Sequence, residues 1–152
     1  MITIAPVAHV RGSRTDLTDD AWGDVRSRIE LVDDLPAESL DGLDEFSHVE
    51  VLFHFHRVAE DAVHRGARHP RGNPAWPRVG IFAQRGKDRP NRLGSTIARI
   101  VGREPRALLV EGLDAVEGTP VVDLKPVMAE FLPRGEVRQP AWSQELMARY
   151  WR

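Results

Sequence analysis

Apolar and polar positions alternate most clearly between Ser47 and Val58. Val49, Val51, Phe53 and Phe55 fall on one side, and His48, Glu50, Leu52, His54 and His56 on the other. A period of two is that of a half-buried β-strand. Val25 to Val32 (VRSRIELV) repeats the pattern, and Thr3 to Arg11, with Ile4, Val7 and Val10, predicts an opening strand or two. Short apolar runs at Val79 to Ala83, Leu93 to Val101, Ala107 to Glu111 and Pro120 to Leu124 predict the remaining strands. Gly102-Arg103-Glu104-Pro105 reads as a hairpin break, and Arg85 to Asn91 and Asp114 to Gly118 read as turns. Pro36 to Leu43 predicts a short helical turn stopped by Gly42. Glu60 to Arg78 shows no periodicity and reads as a long loop; loops of that length in a compact domain usually carry function. Pro140 opens a predicted amphipathic helix to Trp151, with Trp142, Leu146 and Tyr150 at four-residue spacing. The sum is a mainly β chain: a small antiparallel β-barrel of about seven or eight strands with a C-terminal helix. No strand–helix–strand alternation points to a Rossmann-type sheet.

At 152 residues, with 41% hydrophobic and 29% charged, the chain suits a single domain over 1–152. No run approaches the roughly 18 apolar residues of a membrane span. The opening Met1 to Pro6 lacks the pattern of a signal peptide, so a cytoplasmic location is expected. The absence of cysteine excludes disulfide scaffolds, zinc ribbons, iron–sulfur sites and cysteine nucleophiles. Charge is segregated. Met1 to His56 holds 4 basic and 12 acidic residues, whereas Arg57 to Arg106 holds 12 basic and 4 acidic. Such a basic segment can steer a polyanion or hold a phosphate or carboxylate; alternatively, its arginines pair with the acidic N-terminal third or across a dimer interface.

The candidate chemistry is sparse. His54 and His56 could offer two metal ligands from one strand face, with Glu50, His64 or His69 as a third; the alternative is a polar face whose imidazoles bond to their neighbours. No Gly-x-Gly-x-x-Gly, Walker loop or Gly-x-Ser-x-Gly elbow occurs. Arg85 to Gly94 (RGKDRPNRLG) is the densest polar segment. Its donor-rich turn is a candidate for an anionic or adenine-bearing ligand. Asp114, between Gly112 and Gly118, either accepts from ribose hydroxyls or an ammonium, or caps its own turn.

Three ordered segments are similar to the signatures of the TrmO (TsaA-like) family. They are Leu43 to His56, then Gly80 to Arg85 followed by Arg89-Pro90-Asn91-Arg92-Leu93-Gly94, and then Gly112-Leu113-Asp114 through Gly118 to Pro126. The resemblance implies a small β-barrel that binds S-adenosyl-L-methionine, commonly dimerises, and uses neither a Rossmann sheet nor a metal. It implies a methyltransferase acting on the exocyclic amine of threonylcarbamoyl-adenosine beside the anticodon of tRNA. It assigns the cofactor pocket to His56, Arg57, Arg85, Ser95, Glu111, Gly112, Leu113 and Asp114; Arg89 and Asn91, in the donor-rich turn, are the candidate substrate contacts. The catalytic proton acceptor stays unassigned. The chain departs from the family pattern at Arg92, where a second proline is usual, at Glu50, where Trp is usual, at Gln84 and Gly86, and in the acidic loop Arg14 to Val25. Two other readings stand beside this one: a metal-dependent small-molecule enzyme using His54 and His56, and a non-catalytic S-adenosylmethionine-binding module. Trp142, Tyr150 and Trp151 could pack a dimer interface or close one end of the barrel.

Overall fold

A computed structural model describes all residues, Met1–Arg152. Eight strands form: β1 (Ala8–Arg11), β2 (Arg26–Leu31), β3 (His48–His54), β4 (Ala67–Arg68), β5 (Val79–Gly80), β6 (Leu93–Glu104), β7 (Ala107–Glu111) and β8 (Pro120–Pro126). Six of them close a barrel in the order β1-β2-β7-β6-β3-β8, every pair antiparallel, whereas β4 and β5 form a separate two-stranded sheet. The barrel is therefore smaller than the expected seven or eight strands. The apolar run at Val79 to Ala83 accounts for part of the difference: only Val79–Gly80 is extended, and Ile81–Ala83 turns into a 3-10 helix that buries Ile81.

The alternation in β3 does what its period predicts. Val49, Val51 and Phe53 are buried and meet Ala8 and Val10 from β1, Ile29 from β2, Ala98 from β6, Leu108 and Val110 from β7, and Val121 from β8. Each side chain of that size contributes about 1.5–3 kcal/mol on burial. Gly94 is a packing requirement. A Cβ there would lie 2.7 Å from two atoms of the Phe53 ring and 2.8 Å from Phe55. Those rings meet edge-to-face at 5.3 Å.

Strand direction positions the site. Neighbours run antiparallel, so β1, β3 and β7 all end at the rim where β2, β6 and β8 begin. Three connections therefore emerge together: 12–25, 55–92 and 112–119. We call this rim the mouth.

The C-terminal helix is shorter than the four-residue stripe predicts. α1 covers Ala141–Leu146 and buries none of its residues, and Met147 caps it. Tyr150 lies beyond the helix because the chain there finds longer-range partners. Ala21 N–H donates to the Arg149 carbonyl at 3.1 Å and Trp22 N–H to the Tyr150 carbonyl at 2.8 Å. At Gly23 the tail carbonyl of Trp151 occupies the place of a side chain: a Cβ would lie 2.0 Å from it.

Candidate functional site at the barrel mouth

The connection after β7 plugs the mouth. Leu113 and Ala115 turn into the core, so Asp114 between them is displayed outward from a fixed backbone. Gly112 and Gly118 bracket this segment at φ of 84° and 81°, the left-handed region that favours glycine. Thr96 Oγ1, on the inward side of β6, donates to Asp114 Oδ1, and the Tyr150 hydroxyl donates to Oδ2. Asp114 thus bonds to other side chains rather than capping its own turn. Burial pushes the Tyr150 phenol far above its ordinary range. The Asp114 carboxylate, by charge and by hydrogen bond, adds to this, Arg85 pulls it back and Asp19 pushes it up. Asp114, Arg85 and Tyr150 therefore share one electrostatic neighbourhood.

Arg85 reaches that neighbourhood from the 55–92 connection, and its guanidinium donates to the Ser95 carbonyl. The Ser95 hydroxyl points the other way and donates to Glu50 Oε1 at 3.1 Å. Gln84, buried beside Arg85, organises the region. Its amide donates to the carbonyls of Val79 at 3.1 Å and Arg68 at 3.3 Å, and its carbonyl oxygen accepts from Arg68 Nε. Arg89 donates to the backbone carbonyl of Gln84 at 2.6 Å, so its side chain braces the turn. Asn91 and Arg92 follow at φ of 65° and 50°, and Arg92 donates to the Val58 carbonyl at 2.7 Å. Asn91 and Arg92 line a depression of about 390 Å³ with Glu60, Val63 and Arg65.

His56 is placed by a break rather than by strand alternation. β3 ends at His54, and His56 N–H donates to the His54 carbonyl at 2.8 Å, closing a three-residue turn. The two imidazoles therefore do not continue one strand face as their spacing suggests. His56 instead faces the 112–119 connection, near Gly118 and Arg11. Burial, together with Arg57, His54 and His9, holds its imidazole below the usual range; burial and Arg92 do the same for His54. His48 Nδ1 is engaged with Ser47 Oγ, and His69 Nδ1 with the Trp76 carbonyl. No three histidine or carboxylate side chains converge in a way that could hold a metal ion.

The remaining expected residues separate into backbone and side-chain roles. Leu113 is fully buried, main chain included, and belongs to the core. The Glu111 side chain lies on the outer wall, where Arg26 at 2.9 Å and Arg99 at 2.7 Å hold its carboxyl below the usual range. Arg57 is exposed beside His56. Some basic residues of 57–106 make the expected pairs with the acidic N-terminal third. Arg71 and Lys87 reach Asp19 or Asp20, and Arg103 reaches Asp41, all in the acidic N-terminal third. Arg57, Arg65 and Arg78 are exposed and make no ion pair.

Two features of the mouth have no counterpart among the residues singled out from sequence. Arg14 gathers the acidic loop by donating to the carbonyls of Thr18, Asp20 and Ala21 and by lying 3.4 Å over the Trp22 ring. Thr96 supplies the second donor to Asp114. A hydroxyl at the first inward position after Ser95 was the only available signal for it, and one hydroxyl in a strand signals little.

Comparison with known proteins adds to this geometry. The family described as tRNA-methyltransferase O N-terminal domain matches residues 18–131. A human tRNA (adenine(37)-N6)-methyltransferase is 39% identical over 105 residues, covering 69% of this chain and 23% of that protein. A probable S-adenosyl-L-methionine-binding protein of Pyrococcus abyssi is 32% identical over 121 residues, 76% of this chain and 59% of its own. The crystal structure of TrmO from P. aeruginosa superposes with a TM-score of 0.75 at 26% identity, covering 93% of this chain and 62% of that one. The chain thus spans less than two thirds of each of these relatives.

Proposed function

Because the chain belongs to the tRNA-methyltransferase O N-terminal-domain family, we propose that it is an S-adenosyl-L-methionine-dependent methyltransferase whose methyl donor binds at the mouth. The observation that carries this reading is the convergence of Asp114 and Arg85 beside a glycine-bracketed backbone segment. The donor set fits the ligand's chemistry. A carboxylate can accept from ribose hydroxyls or an ammonium, and a guanidinium can pair with a carboxylate. Backbone groups of Glu111, Gly112 and Leu113 border the same segment, and the Ser95 carbonyl lies against Arg85. His56, whose imidazole burial and neighbouring positive charge hold below its usual range, can accept a hydrogen bond beside the 112–119 connection. The bound donor supplies an electrophilic methyl group on a sulfonium. The chain's part is to orient the acceptor in line with it and to exclude water.

The acceptor we propose is the exocyclic amine of an adenine beside the tRNA anticodon, in its threonylcarbamoyl form. The name of the human relative supports the adenine. The exposed, unpaired Arg57, Arg65 and Arg78 support a phosphate-rich partner. Arg89 and Asn91 fit this reading as the turn that bounds the acceptor's side, Arg89 through its brace and Asn91 through the depression it lines. A homodimer in the cytoplasm belongs to the same proposal. Leu93, Ile97 and Val101, exposed along one face of β6, support a second copy packing there. No helix is long and apolar enough to cross a membrane.

Calorimetry with S-adenosyl-L-methionine, followed by a methyl-transfer assay on bulk tRNA lacking the modification, tests the reading. Saturable binding and transfer are expected. Absence of binding at millimolar donor would overturn it, and binding without transfer to tRNA would leave the binding-module reading in its place.

A further inference from the structure

The tail Ala141–Arg152 is docked on three separate segments of the mouth. Its last residues pair through the backbone with Ala21 and Trp22. The Trp151 carbonyl fills the space that a side chain at position 23 would need. Glu145 accepts from Trp76 Nε1 at 2.9 Å, tying α1 to the long 55–92 connection. These contacts deliver one polar group to the site, the Tyr150 hydroxyl on Asp114. With the Trp151 carbonyl seated in the Gly23 notch, the tail forms one wall of the site.

Accepting sites on Asp114 give the contact its meaning. A carboxylate has about four acceptor positions, two on each oxygen. Thr96 takes one on Oδ1 and Tyr150 one on Oδ2. Two donors fixed in the protein, one on each oxygen, hold the plane of the carboxylate and leave one position on each oxygen for a ligand. We propose that Tyr150 is a positioning residue that, opposite Thr96, orients Asp114 to receive the hydroxyl or ammonium groups of the methyl donor. The inference rests on the reading that the donor binds at Asp114. Tyr150 acts through that carboxylate and does not itself touch the reacting atoms.

The chain contains a single tyrosine, so the rise in absorbance at 295 nm on alkaline titration, above the constant background of its four tryptophans, reports Tyr150 alone. In the wild-type protein the phenol should resist ionisation well above pH 10, and Asp114→Asn should bring its titration down towards the ordinary range. A wild-type titration near pH 10, or one unmoved by Asp114→Asn, would refute the contact whether or not any donor binds. Calorimetry supplies the second arm. Tyr150→Phe, which keeps the ring, should weaken S-adenosyl-L-methionine binding several-fold, up to the roughly 10- to 150-fold that full loss of one hydrogen bond to a charged group would cost. Adding Tyr150→Phe to Asp114→Asn should cost little more than Asp114→Asn alone. Gly23→Ala, which displaces the tail without touching Asp114, should weaken binding in the same direction. If the wild type binds and either Tyr150→Phe or Gly23→Ala binds equally well or more tightly, the positioning role is wrong. If the wild type does not bind, the donor-site reading is what fails.

Discussion

Replacing Gly94 with alanine tests the link between the core and the mouth. The added methyl would meet three aromatic carbons at 2.7, 2.7 and 2.8 Å. Carbon atoms in contact prefer roughly 3.5–4.0 Å, so the rings must retreat by close to 1 Å. Phe53 is 1% exposed and has no free direction. Phe55 is half-buried, and its N–H is bonded to the Arg92 carbonyl at 2.8 Å. Overpacking of this kind costs about 1–3 kcal/mol. Loss of glycine freedom in the unfolded chain returns about 0.4–1 kcal/mol. A net destabilisation centred on ~1.3 kcal/mol follows, or a Tm lower by roughly 3–5 °C for a chain of this length. The displaced Phe55 carries the His56 turn with it, so binding at the mouth should weaken as well. Thermal unfolding by circular dichroism reads the first effect and donor calorimetry the second. An unchanged or higher Tm would show that the two rings are not wedged against this glycine.

Other perturbations should separate the site's parts. Arg85→Ala should weaken donor binding by about 1.5–3 kcal/mol, the cost of a lost charge-assisted contact, and unchanged affinity by calorimetry would remove it from the site. Arg92→Pro, although it restores the proline usual in the resembled family, should destabilise the protein, because proline cannot adopt the φ of 50° found there; a higher Tm would mean that this backbone is not the one populated. His54 and His56 have lowered pKa values in the folded state, so the unfolded chain binds protons first as pH falls. Their effect is absent above about pH 7 and appears as lost stability when pH drops through 6.5. His56→Gln should flatten part of that acid-side loss in urea midpoints measured between pH 7 and 5, and an identical slope would exclude it.

The strands were legible where a two-residue period met a one-sided core. β2 and β3 follow from their alternation alone, and β7 and β8 from short apolar runs. The strand count of the barrel was not legible, because short apolar runs such as Val79 to Ala83 are as compatible with a buried 3-10 turn as with a strand. The aperiodic stretch Glu60 to Arg78 concealed local order held by side chains, with Gln84 satisfying backbone carbonyls of the β4–β5 sheet. For the site, Asp114 and Arg85 were found by resemblance, and local chemistry left each with an alternative. Tyr150 was visible only as one member of a helical stripe. Its partner lies 36 positions away, and helical spacing carries no information about that distance. The notch at Gly23 likewise could not be read, since a glycine after a tryptophan says nothing of what fills the space.

β6 runs from the mouth to the opposite rim, and its twelve residues span about 40 Å at roughly 3.3 Å each. At its far end Pro105 and Arg106 make a hairpin tip, where Arg106 is held by the carbonyls of Val32 and Leu35 and Pro105 is exposed. Since the chain has no cysteine, Pro105→Cys would create one unique thiol. A dye or a surface tether placed there would sit at the rim opposite the mouth, and so would leave free the end at which the methyl donor and nucleic acid are proposed to bind.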